Sequence, residues 1–327
     1  MTVDTPPDLT VVLMVDSQRE RAEWALQSVL SQRFCGRLEV LLFDFGHNEQ
    51  PPLTGSNHSD VRVLDADRGA GYGETMTRAV AAARAPVIAF IEEHVIVLTG
   101  WAAAILRAHQ DGWAAVCGEV HPGDLDHEVS QRIELVSRNV WSAPAQRGEA
   151  AVLRWQNVSY KRDVLLQYQP HLPLLLQAEG ALFRQLRADG HRLYIEPDAR
   201  IIHGHEYHWA AFLRGSFYSN RLSTASALAY VGQRRTAATL RALVSALVGP
   251  VRWPVVLLRR QRQLPQPEIW APIAWANLAY VIQYYAVLAL AALIGIVGGP
   301  GDSARTFLQY ELNERRRKPA GAKSVTG

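Results

Sequence analysis

The sequence predicts an α/β fold built on a doubly wound sheet, followed by a C-terminal apolar helical region. Three observations lead there. Short apolar runs alternate with helix-period segments through the first 120 residues, as βαβα order requires. Polar residues gather just after those runs, at Asp16, Asp44, Asp67 and Glu92, which is the sheet edge where open α/β folds bind ligands. The last third then turns apolar and arginine-rich.

The elements follow in order. Leu9 to Val15 reads as a fully buried parallel strand. Asp16 and Ser17 can cap the next helix, where Ala22, Leu26, Val29 and Leu30 recur at helical spacing. Leu38 to Phe43 is a second strand ending at Asp44, and Val61 to Leu64 a third. A glycine-rich turn leads to a helix from about Thr75 to Arg84. Pro86 to Ile91 is a fourth strand, ending in Glu92, Glu93 and His94. Gly100 to Gln110 is helical, and Trp113 to Cys117 is another strand. Beyond it, Asp163 to Gln167 and Glu179 to Asp189 read as helices, the second stopped by Gly190. Leu193 to Ile195 and Arg200 to Ile202 read as two short strands. The resulting division is 1–215 and 216–327.

Composition sets the limits. With 327 residues, 48% hydrophobic and 20% charged, the chain holds a packed core and is not disordered. Net charge is +3, and the only lysines are Lys161, Lys318 and Lys323. That balance excludes a general nucleic-acid binder. Two distant cysteines, Cys35 and Cys117, give neither a disulfide scaffold nor a C-x-x-C metal or redox motif. The polar start MTVDTPPDLT has no basic n-region or apolar h-region, so the expected location is the cytoplasmic side.

In the last third, Leu240, Leu243, Val244, Leu247, Val248 and Val251 share one helical face, as in an interfacial amphipathic helix. Pro250 and Pro254 are expected to bend or end it. Trp270 to Gly299 carries no formal charge and is long enough to be a membrane-span candidate, with arginines on both sides. The alternative is a helix pair buried in a homodimer interface or against the first region.

The strongest chemical signal is FIEEHVIVLTGW, residues 90–101. A buried strand ends in two carboxylates and an imidazole, a donor set that suits a divalent cation holding phosphate. In an extended segment Glu92 and His94 would point to the same side. By itself so short a cluster reads more readily as a solvated acidic loop.

Further segments in order give it a context. LTVVLMVDSQRERAEWALQSVLSQ carries Ser28 and Gln32 in a Ser-x-x-x-Gln ending, and EVLLFDFG carries Asp44, Phe45 and Gly46. DRGAGYGETMTRAVAAARAPVIAFIEEH leads through a glycine-containing loop and helix to the acidic strand end. NVSYKRDVLL and QAEGALFRQLRADGHRLYIEPDARIIH follow. Over roughly residues 9–215 the chain resembles a family 2 glycosyltransferase of GT-A fold. Three departures stand out: Phe45 replaces a second aspartate, Glu92-x-His94 stands where the family has Asp-x-Asp, and Ala178 replaces the glutamate of a Glu-Asp motif whose aspartate Glu179 matches.

The resemblance implies an inverting transfer of sugar from a nucleotide-sugar donor to a lipid-linked or glycan acceptor, with manganese or magnesium as cofactor. It makes Glu179 the catalytic base, partial burial raising its proton affinity. It places Asp16, Asp44, Arg68 and Glu92 on the nucleotide sugar and Glu92, His94 and His203 on the metal. Trp141, Tyr160 and Arg162 are expected on the acceptor side, by stacking on sugar and pairing with phosphate. Each has a plainer reading: Glu179 as a helix N-terminal carboxylate, Asp16 and Asp44 as caps, His203 with His205 and His208 as a solvated turn, and Trp141 as core.

Two rival functions remain at this level. Gly69, Gly71 and Gly73 suggest a dinucleotide fingerprint, but the third position of G-x-G-x-x-G is Glu74, and the turn follows the third strand rather than the first. The altered metal motif and Phe45 fit a catalytically inactive glycosyltransferase-like binding or scaffold protein at the membrane. The sequons at Asn57 and Asn157 would go unused in a cytosolic chain.

Overall fold

The computed structural model describes residues 6–123, 127–137, 145–153, 155–204, 208–231, 234–260 and 277–314. By packing, the chain divides into two compact units: Met1–His121 with Ala145–Gly204, and Pro122–Pro144 with His205–Gly327. The described stretch 127–137 thus packs with the C-terminal helices.

The first unit carries a nine-stranded sheet. Its parallel part comprises β1 (Leu9–Val15), β2 (Leu38–Asp44), β3 (Val61–Leu64) and β4 (Val87–Glu92), in the spatial order β3-β2-β1-β4. All seven residues of β1 are buried, as a strand covered on both faces must be. Helix α1 (Arg19–Leu30) covers one face with Ala22, Ala25, Leu26 and Val29, spaced three or four apart as a helical stripe requires. Helix α2 (Tyr72–Ala82) leads into β4. Gly73, in its first turn, is there for contact: a Cβ would stand 2.0 Å from the carbonyl oxygen of Pro173.

Beyond β4 the sheet is mixed. β5 (Val95–Val97) follows a turn at Glu93 and His94, then α3 (Trp101–His109) leads to β6 (Ala115–Pro122). After α4 (Glu128–Ser137) and the two-residue β7 (Gly148–Glu149), β8 (Val158–Lys161) inserts between β4 and β6. Short helices α5 (Arg162–Leu166) and α6 (Leu172–Leu176) precede α7 (Glu179–Ala188). Gly190, at φ +84°, takes the left-handed conformation that stops it. β9 (Leu193–His203) completes the order β4-β8-β6-β9-β5, with the pairs β4–β8, β8–β6 and β9–β5 antiparallel.

Three sequence expectations change. β6 starts at Ala115 and runs on to Pro122, past the predicted end at Cys117. The two short strands after Gly190 are one, because β9 continues through Pro197 and Asp198. β8 was unpredicted, being only four residues long.

Several buried polar groups in this unit are tied together. The Thr10 hydroxyl donates to Glu39 at 2.7 Å, and the Arg84 N–H donates to the same carboxylate at 3.0 Å. Burial pushes the Glu39 carboxyl up, but these donors and Arg62 outweigh it and hold it below its ordinary range. Asn157 accepts from the Trp101 indole at 2.9 Å and donates to the carbonyls of Ala199 and Glu119, joining α3, β9 and β6. That residue is 2% exposed, so its sequon is inaccessible in the folded chain.

The second unit contains α8 (Trp209–Val231), α9 (Arg235–Arg260), α10 (Leu278–Gly298) and α11 (Ser303–Gln309). α10 packs along α8, where the Asn220 amide donates to the Leu288 carbonyl and Phe212 stacks on Tyr284. α9 stays helical through Pro250 and Pro254 instead of ending there. Its buried Ala238, Ala242 and Trp253 and close-packed Gly249 give it tertiary contacts that outweigh the missing proline donors. α10 is long and apolar enough to cross a membrane, with a mean hydropathy of 2.1, and one third of that stretch is buried.

Candidate functional site

The chain order reverses at β1, with β2 on one side and β4 on the other. In doubly wound sheets this switch opens a crevice at the carboxyl ends of the strands. Register puts the predicted polar residues there: Val15 pairs with Asp44, Met14 pairs with Glu92, and Asp16 follows β1.

Glu92, His94 and His203 converge, with their ligand atoms all within 4.8 Å of one another. The Glu92 Oε2 lies 2.6 Å from His94 Nε2 and 2.9 Å from His203 Nε2, and the two ring nitrogens are 3.1 Å apart. Both imidazoles have fully buried side chains, while Glu92 is partly open. The convergence is not the extended-strand geometry expected from sequence, since Glu93 and His94 form a turn between β4 and β5. His203 arrives from β9, paired with Val95, and the Gly204 N–H donates to the His94 carbonyl at 3.0 Å. Ser28 and Gln32 brace this corner. The Ser28 hydroxyl accepts the Val97 N–H, and the Gln32 side chain donates to the Leu98 carbonyl and accepts the Ala102 N–H.

The donor set fits a divalent ion. Ligands at right angles on bonds of about 2.1 Å stand about 3 Å apart, the separation found here. Two imidazoles and a carboxylate form a softer set than the all-oxygen sites that magnesium takes, and suit a first-row divalent transition ion. Glu93, absent from the sequence-predicted set, completes the arrangement. Its carboxylate lies 3.3 Å from His94 Nδ1, the contact that would orient the ring and leave Nε2 to face a metal. Adjacency to His94 was the signal available in the sequence.

Asp16 and Asp44 are each engaged by an arginine. Arg19 holds both oxygens of Asp44, at 2.8 and 2.9 Å, and the Gly46 N–H donates to Oδ1 at 3.0 Å. Such a fork on a nearly buried carboxylate is a strong, directional pair. Arg19 lies 25 residues away from Asp44, and no local pattern announces it. Arg68 donates to Asp16 at 3.0 Å. It also lines a cleft of about 670 Å³ with His47, Asp67, Glu74 and Arg78. The residues around that cleft exclude the metal-type cluster.

Glu179 is the first residue of α7; its side chain is not among those described. The acceptor-side expectations fare differently. Trp141 lies outside the described residues. Tyr160 is 1% exposed, edge-on to Phe90 and stacked with Phe183, so it is a core ring and offers no open face to a sugar. Arg162 donates to the carbonyls of Val80 and Ala81, closing the end of α2, a role that follows from the unpaired carbonyls of any helix terminus. His205 lies outside the described residues, and His208 precedes α8 in the other unit.

No family model matches the sequence, and no curated protein matches it. A solved structure does match: mannosyltransferase PcManGT from Pyrobaculum calidifontis, in complex with GDP-Man and Mn2+, has a TM-score of 0.54 at 16% identity. The match covers 89% of this chain and 88% of that one. The chain has a glycosyltransferase fold. This agrees with the fold that the motif resemblance implied, and it extends over both units in coverage.

Proposed function

We propose that the protein is an inverting, metal-dependent glycosyltransferase of family 2 type. It would move one sugar from a nucleotide-sugar donor to a hydroxyl of a lipid-linked or glycan acceptor. One observation carries the reading: in a glycosyltransferase fold, Glu92, His94 and His203 meet at the carboxyl edge of the sheet. The solved neighbour holds GDP-Man and Mn2+.

In this mechanism Glu92, His94 and His203 would hold the ion, which when bound offsets the charge developing on the leaving diphosphate. Arg68 and Arg19, with Asp16 and Asp44, border the donor nucleotide. Glu179 takes the acceptor hydroxyl proton as that oxygen bonds to the anomeric carbon and the bond to the nucleotide diphosphate breaks. The acceptor class goes with a site at the cytoplasmic membrane face, a placement supported by the apolar length of α10.

The first test is thermal stability with UDP, GDP, dTDP or CMP, each with and without manganese or magnesium, in detergent. A bound ligand raises stability by RT ln(1 + [L]/Kd). One nucleotide should give a metal-dependent shift. With the matching sugar donor, Glu179→Gln should abolish transfer and keep that shift. No shift with any nucleotide, from folded protein, would favour the inactive binding or scaffold reading instead.

A further inference from the structure

Helix α9 has apolar residues on two opposite sides. Ala238, Ala242 and Trp253 are buried on one side, and a Cβ at Gly249 would come 2.4 Å from the Tyr285 ring of α10. Steps of four, seven and four residues keep these on one face, and three of the four are small, so that face is the packed one. Leu240, Leu243, Val244, Leu247, Val248 and Val251 are all exposed, Leu247 by 76% and Val251 by 68%. At 3.6 residues per turn their centre lies about 180° round the helix from the packed line. Arg241, Ser245 and Arg252, also exposed, run along one edge between the two faces.

This exposure is concentrated. Twelve large hydrophobic residues stand exposed in the described residues; six are on this face of α9 and three more (Ile282, Leu290 and Val297) are on α10. A contiguous apolar strip of this kind marks an interaction surface. The charge says which. α9 carries Arg235, Arg241, Arg252, Arg259 and Arg260 and no acidic residue. Five arginines are too many for a bilayer-crossing helix, each costing about 3 kcal/mol at mid-membrane. They suit a helix lying in the plane of an anionic surface, its arginines at headgroup level. A second copy of the same helix would instead bring arginine edges together with no acid between them.

We propose that α9 lies flat on an anionic phospholipid bilayer, with Leu240, Leu243, Val244, Leu247, Val248 and Val251 in the acyl boundary and Arg241 and Arg252 at the lipid phosphates. This rests on the membrane reading given under the proposed function, and assigns it a face, an orientation and a lipid class. The full chain, with Cys35→Ser to remove the exposed native thiol, is labelled with an environment-sensitive dye at Leu247→Cys or, separately, at Val297→Cys. It is then added to phosphatidylcholine vesicles with or without phosphatidylglycerol. The label at position 247 should be quenched by shallow nitroxide lipid and protected from iodide in phosphatidylglycerol vesicles. Arg241→Glu with Arg252→Glu should weaken binding to those vesicles by about tenfold or more, with circular dichroism unchanged. If position 247 stays open to iodide while position 297 is lipid-quenched, the α9 assignment is wrong and membrane attachment stands. If both stay in water, both fail. If position 247 is shielded from both quenchers and cross-links to a second chain, a dimer covers the face and the lipid assignment is overturned.

Discussion

His94 and His203 face each other through their Nε2 atoms at 3.1 Å, and one Glu92 carboxylate oxygen touches both. Three ligand-type atoms at such separations, two of them on fully buried side chains, are held by the β5–β9 pairing rather than by a flexible loop. Removing one ring should therefore remove ion binding without opening the sheet. His203→Ala is expected to lose the manganese-dependent part of the nucleotide thermal shift, which at a hundredfold excess over Kd is about 2.7 kcal/mol. Calorimetric titration with manganese checks it directly. Retention of wild-type affinity by His203→Ala would remove this histidine from the site.

Glu93 gives a subtler expectation. Its carboxylate sits 3.3 Å from His94 Nδ1, on the side of the ring away from Glu92 and His203. Partners of this kind fix the orientation and tautomer of a ligating histidine. Glu93→Gln keeps the shape and removes the charge. Manganese affinity should fall by about 10- to 100-fold, while the melting temperature of the ion-free protein changes little. An unchanged titration curve would make Glu93 a bystander.

Much of the candidate site was legible because its residues lie at strand ends, where apolar runs stop at polar letters. Asp16, Asp44 and Glu92 sit in adjacent register rows for that reason. His203 is 111 residues from Glu92, so local pattern alone left it as one histidine among three. Only the resemblance singled it out, and only the antiparallel pairing with Val95 shows how it arrives. Arg19 was invisible because its partnership with Asp44 is made by side-chain reach across two elements. Tyr160 misled because a four-residue strand does not reveal whether an aromatic faces core or ligand. The prolines of α9 misled in the opposite way: local propensity argued for a break, and packing on α10 overrode it.

Gly118 tests the framework behind the site. A Cβ there would lie 1.9 Å from the Ala199 carbonyl oxygen and 2.1 Å from the Asn157 amide nitrogen. Both atoms belong to the hydrogen bond that ties β9 in place, so neither can retreat without breaking it. Gly118→Ala should cost about 3 kcal/mol or more, at the upper end of overpacking effects. In urea the midpoint should fall with the slope unchanged. A loss within about 0.5 kcal/mol, the range of inconsequential surface changes, would mean that β6 and β9 are not in such close contact.

His109 contributes to the acid sensitivity of the fold. It is buried, with Nδ1 3.2 Å from the Trp113 carbonyl and Nε2 2.9 Å from the Ser159 hydroxyl. Burial pushes its pKa down to about 4. The unfolded chain takes up this proton near pH 6.5 and the folded one does not, so the contribution to stability is complete above about pH 6.5 and is lost as pH falls toward about 4. The loss should approach about 1.4 kcal/mol per pH unit within the window, or about 3 kcal/mol across it. Glu39, whose pKa is lowered, adds acid sensitivity of the same sign, but only below its own unfolded value near 4.5. Between about pH 6 and 5 Glu39 therefore adds little to the slope that His109 contributes. His109→Gln cannot take up the proton, and should be less stable at pH 7 yet show a flatter decline through that interval. Equal slopes for the two proteins in urea titrations at each pH would show that His109 is not held neutral.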